Sequence, residues 1–123
     1  MVIGKLGTVV LDCPDPQGLA AFYAALVGGK VNGVSADGDD WVDLVREDGS
    51  NLSFQQAPQL RAPRWPDPER PQQFHLDITV DDLDAAQEEV LALGATLLDD
   101  GAGQRSWRVF ADPAGHPFCL CAG

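Results

Sequence analysis

The chain has 123 residues, 45% of them hydrophobic, which is enough for one domain with a buried core and no need of disulfides. Its 19 acidic and 8 basic residues leave a net charge of −11, which repels phosphate backbones and anionic lipid and so argues against nucleic acid or a membrane as partner. No apolar run approaches the roughly 20 residues of a membrane-spanning helix, and the opening MVIGKLGTVV lacks the marks of a secretory leader, so a cytoplasmic location is expected.

In chain order, residues 5–12 (KLGTVVLD) read as a strand, broken by Cys13-Pro14-Asp15-Pro16. Asp15 suits a helix N-cap and Pro16 the first helical position. Leu19, Phe22, Tyr23 and Leu26 then follow the spacing of an amphipathic helix, which Gly28-Gly29 ends. Three short strands are expected near 30–35, 40–46 and 51–56, separated by the turn-rich ADGDD and EDGS. Residues 57–72 hold five prolines and little periodicity, as in a stiff, extended connector. Trp65 within it is either pinned to the body by its ring, the simpler expectation, or in contact with a ligand.

The second half repeats the order. FHLDITV (74–80) alternates as a strand, and Asp81, Asp82 and Asp84 place acid at a helix N-terminus, where the helix dipole favours it. Leu83, Ala86, Val90 and Leu93 form the expected buried stripe, and Gly94 stops the helix. Strands near 95–99, 106–111 and 117–121 complete the set. The repeat can be checked by subtraction. Asp15 and Asp82, and Leu26 and Leu93, are 67 apart; Trp41 and Trp107, and Gly49 and Gly115, are 66 apart. Duplication of one βαβββ unit follows. The expected class is α+β: module one at 1–56, the connector at 57–72 and module two at 73–123. Paired, the modules would close a concave, U-shaped mixed sheet around a cavity, with the helices outside.

Alternation sends Phe74, Leu76, Ile78 and Val80 to one face of their strand and His75, Asp77 and Thr79 to the other. The second set would face the cavity, as would Thr8, Val10 and Asp12 and, on the remaining strands, Ser53, Gln55, Cys119 and Cys121. Trp41 and Trp107 occupy equivalent strands, either as core anchors or as aromatic walls for a flat ligand. An imidazole near neutrality can serve as general base, so His75 is the candidate catalytic residue. Positions i and i+2 of a strand stand about 7 Å apart, which argues against direct pairing of His75 with Asp77. Cys119 is a possible nucleophile only with a lowered pKa and access; burial as a small apolar group is the simpler expectation. His116, in a Gly-His-Pro turn, is expected to be exposed and has no assigned chemistry. Three cysteines with no C-x₂-C spacing indicate reduced thiols.

TVVLDCPDPQGLAAFYAALVG, HLDITVDDLDAAQEEVLALGA and RVFADPAGHPFCLC resemble, in that order, three segments of glyoxalase-like domains of the vicinal-oxygen-chelate superfamily: the opening of module one, the opening of module two and the closing hairpin. Metal-using members of that superfamily hold a divalent ion on four strand positions. By motif and repeat offset these correspond here to Thr8, Ser53, His75 and Cys119. One imidazole, one thiol and two hydroxyls make a poor set for a first-row divalent ion, so no metal and no other cofactor is expected. The resemblance then implies a module that binds a small organic molecule, in the manner of the bleomycin-resistance proteins. The candidate contacts are Thr8, Trp41, Ser53, Gln55, His75, Asp77, Trp107 and Cys119, and an acidic cup suits a cationic or polar guest. The alternative is an enzyme of lyase, isomerase or dioxygenase type, using an atypical metal site or His75 as base. A homodimer is also implied.

Overall fold

Two aspartates start the two helices. The Asp15 carboxylate accepts the N–H of Gly18 at 3.1 Å, and the Asp82 carboxylate accepts that of Ala85 at 3.2 Å, each satisfying a donor that the first turn leaves unpaired. In the computed structural model, which describes residues 2, 6–32, 40–47 and 49–122, these caps open α1 (Pro16–Val27) and α2 (Leu83–Ala92). Around them lie β1 (Thr8–Cys13), β2 (Lys30–Asn32), β3 (Trp41–Val45) and β4 (Asn51–Gln56), then β5 (Leu76–Val80), β6 (Thr96–Asp99), β7 (Trp107–Ala111) and β8 (Pro117–Ala122). A single 3₁₀ turn at Gly101–Gly103 was not foreseen. Of the strand expected near 30–35, residues 33–35 lie outside the described residues, as does residue 5 of the first.

The chain divides into two units, Met1–Leu60 and Arg61–Gly123, with the boundary inside the proline-rich connector. Each unit carries one helix and one four-stranded mixed sheet, and the strand orders are the same: β1-β4-β3-β2 and β5-β8-β7-β6. In both, the first strand pairs in parallel with the last, and the other pairs are antiparallel. The fold is therefore α+β, a repeated βαβββ unit. No helix among the described residues is long and apolar enough to cross a membrane.

Strand alternation builds each core. In the first unit Leu11, Val42, Leu44 and Phe54 are fully buried with Leu19, Phe22 and Tyr23 of α1, and the rings of Tyr23 and Phe54 stack at 5.8 Å. In the second, Val90 of α2 is buried, as are Phe110, Phe118 and Leu120, with the two phenylalanines stacked at 5.6 Å. Each such side chain, removed from water, is worth about 1.5–3 kcal/mol.

Four details differ from the sequence expectations. Of the stripe expected along α2 only Val90 is buried: Leu83 and Ala86 are half-buried, and Leu93, the C-cap beyond the last helical residue, is 41% exposed. The ladder of β5 starts at Leu76, leaving Phe74 exposed and His75 just ahead of the strand. The connector folds back in successive turns, with Arg64 N–H donating to Arg70 and Asp67 N–H to Arg64. Finally, His116 is half-buried, because the Asp112 carboxylate accepts its backbone N–H and that of Ala114 and so ties the turn down. Gly115 in that turn has φ +96°, and a Cβ there would stand 2.7 Å from the Ala62 methyl, so connector and hairpin approach at a place that only glycine allows.

Candidate functional site

The register of the second sheet fixes its open face. Asp77 lies opposite Cys119 and Thr79 opposite Cys121; on the other side of β8, Val109 lies opposite Cys119 and Trp107 opposite Cys121. These positions alternate with Phe110, Phe118 and Leu120, which are buried, so the two rows share the sheet's other face. Trp65 and Gln72 of the connector and His75 complete the walls of a cleft of about 350 Å³. That volume falls in the range of small-molecule sites.

At one end of the cleft three polar groups converge. The His75 Nε2 lies 3.1 Å from Asp77 Oδ1, and the donor atoms of His75, Asp77 and Cys119 all fall within 4.8 Å of one another. The spacing argument against His75 meeting Asp77 is thereby corrected. The 7 Å applies to the backbone; an imidazole and a carboxylate each reach beyond their Cβ, and His75 precedes the regular ladder. Cys119 is 7% exposed, and burial pushes its thiol up to about 11, with the negative charges of Asp77 and Cys121 adding to the effect. Burial and Asp77 also raise Cys121. A thiol so placed stays protonated near neutrality and is a poor nucleophile, as burial led us to expect. The three cysteines form no disulfide.

Along the cleft, Trp107 is 37% exposed and carries the Arg105 guanidinium over its ring, 3.7 Å from the centroid. Asp99 holds that guanidinium at 3.0 Å. Trp65 is half-buried and lines the cleft.

The first unit makes a different use of the equivalent positions. Ser53 is 1% exposed; its Oγ lies 2.8 Å from Thr8 Oγ1 and donates to Asp43 Oδ1 at 2.6 Å. The same carboxylate oxygen accepts Trp41 Nε1–H at 2.8 Å. Trp41 and Ser53 are thus brought together by Asp43, with Thr8 joined through Ser53; sequence reasoning missed Asp43 although alternation in WVDLV sets it on the face of Trp41. Gln55 pairs with Trp41 in the ladder and is exposed. In the second unit the structure unites His75, Asp77, Trp107 and Cys119. Gln72, which sequence reasoning also missed, sits at the end of an aperiodic connector, where no pattern marks it.

Two of the four positions matching the superfamily's metal ligands are therefore neutral hydroxyls already engaged with each other and with Asp43. That four-donor set does not fit a divalent ion here, whose ligands are thiolate, imidazole and carboxylate. Among the described residues, the group able to hold one is His75, Asp77 and Cys119.

Residues 8–121 match the model of the glyoxalase-like domain. Among solved structures, the fold is similar to that of a glyoxalase/bleomycin resistance protein/dioxygenase family enzyme from Burkholderia phytofirmans PsJN (TM-score 0.73, 19% identity, 97% of this chain and 98% of that one). It is also similar to the fosfomycin resistance protein FosX from Mesorhizobium loti (0.72, 17%, 99% and 94%) and to hypothetical protein SA1046 from S. aureus (0.71, 18%, 100% of both). Among curated proteins none matches the sequence.

Proposed function

Because the chain belongs to the glyoxalase-like domain family, we propose that it binds a small organic molecule in the cleft of its second unit, without the four-donor divalent ion of the family's metal-using members. The observation that carries this reading is the cleft itself: two indoles, Trp65 and Trp107, beside a converging polar end. The indoles offer flat apolar area at little entropic cost. The Asp77 side chain, 62% exposed, and the His75 side chain, 39% exposed, remain open to a guest. With a net charge of −11, the molecule favours a cationic or polar one.

The reading is tested by titrating chelator-treated protein with a panel of small aromatic amines and their neutral analogues, followed by calorimetry. Saturable binding is expected, weakened about tenfold, or 1.4 kcal/mol, by either Trp107→Ala or Asp77→Asn. No saturable guest, or affinities indifferent to both substitutions, would overturn it.

A second reading, catalysis with His75 as base, draws on the 3.1 Å approach of Asp77, which orients the imidazole. It requires a reaction that His75→Ala abolishes while binding survives.

A further inference from the structure

We infer that Arg105 sets the guest preference of the cleft by acting through Trp107. The cation fixed behind that indole makes it a platform for an electron-rich aromatic ring and leaves the positive charge of a guest to the Asp77 end. The inference rests on the function proposed above and narrows it, from a cationic or polar guest to an arylalkylamine whose ring carries electron-donating groups.

The geometry begins just ahead of β7. The Arg105 guanidinium stacks on Trp107 at 3.7 Å from the ring centroid, yet Trp107 lines the cleft and Arg105 does not. The cation therefore covers the ring from the side turned away from the guest. It is held there. Asp99 Oδ1, itself fixed by accepting the Gly101 N–H at 2.8 Å, lies 3.0 Å from the Arg105 Nη2. Gly101 has φ +68°, and a Cβ on it would strike the Arg105 Nε, so the guanidinium fills a slot between the indole and a glycine. That Nε is buried without a hydrogen-bond partner among the described residues. The charge also reaches the cleft wall. Burial first, then Asp77 and Cys121, push the Cys119 thiol up, and Arg105 acts on it in the opposite sense.

Magnitudes decide what the indole then accepts. A second cation on the opposite face of the ring would stand about 7.5 Å from the first, twice the observed 3.7 Å. At an effective dielectric constant of about 20 that repulsion is worth roughly fortyfold in affinity. With half of that free energy cancelled by Asp99, about sixfold remains. A cation on an indole at a partly exposed site gains only about two- to fivefold, so the repulsion wins. Ring on ring is different. The guanidinium draws electron density out of the indole, which makes its cleft side a better partner for an electron-rich ring and a poorer one for an electron-poor ring. At the far end the Asp77 side chain, 62% exposed, attracts an ammonium. β5 and β7 flank β8, and Trp107 lies two ladder positions beyond Asp77, which sets their Cα atoms about 12 Å apart. Side chains reaching inward from both leave room for a ring and a short aliphatic arm.

The test is calorimetry of the full chain with 4-methoxyphenethylamine, phenethylamine and 4-nitrophenethylamine, which share one ammonium and differ in ring electron density. The native chain is expected to bind the methoxy compound about fivefold more tightly than the nitro compound. Arg105→Gln removes that difference, and Arg105→Lys, which keeps a cation, preserves the order. Asp77→Asn weakens all three about tenfold and leaves their order unchanged. Equal affinities or the reverse order in the native chain, a preference that survives Arg105→Gln, or an order that Asp77→Asn abolishes would overturn the inference while leaving cleft binding intact. No saturable binding of any of the three would end both readings. Circular dichroism checks that each variant is folded, and Arg105→Met supplies the neutral side chain should Arg105→Gln fail to fold.

Discussion

Cys119 sits beside the Asp77 carboxylate at 7% exposure, and its thiol, ordinarily near 9.0, is held up at about 11 by burial first and by that charge second. The folded chain therefore grips this proton more tightly than the unfolded one. Stability from the protonated thiol is fully present below pH 9 and is lost as pH rises through 11. Iodoacetamide should alkylate Cys119 of the metal-free protein at pH 8 about a hundredfold more slowly than in urea, following the two-unit difference in thiolate supply. Site-resolved mass spectrometry over a pH series checks this, and rapid labelling at neutral pH would show an activated thiol instead. The four groups of the second-unit site were legible as residues, because alternation and one family motif mark them. Their mutual distances were not, since side-chain reach and the exact start of a strand are invisible to spacing.

At the scale of elements, the two halves repeat their local chemistry more faithfully than their sites. Asp15 and Asp82 cap α1 and α2 in the same manner, 67 residues apart, and Trp41 and Trp107 open β3 and β7. Asp15→Ala and Asp82→Ala should each cost ~1 kcal/mol, and because the caps share no partner the double variant should show their sum. Urea unfolding measures all three. The open faces diverge: a carboxylate from β3, Asp43, accepts the Ser53 hydroxyl of the first unit, whereas in the second Val109 holds that position and the carboxylate comes from β5. The two helices share an aspartate cap and a glycine at or just past the end, since the loss of either costs stability in both places.

For the whole molecule, the family resemblance also implies association, and a homodimer is our expectation in solution. Light scattering at micromolar concentration should return about twice the 13.1 kDa chain mass, and a single monomeric species would end that expectation. What the sequence alone determined is the fold class, the order of elements and the repeat, together with the face on which Asp77 and Cys119 stand. Hydrophobic period, caps and turn residues are local signals, and each acts within a few positions of itself. The tertiary structure alone decided which polar groups meet. It placed Asp77 against His75, tied Ser53 to Asp43, and brought Gln72 and Trp65 of the connector to the cleft. Those contacts depend on strand register and on where an aperiodic segment comes to rest, and the packing of distant residues sets both.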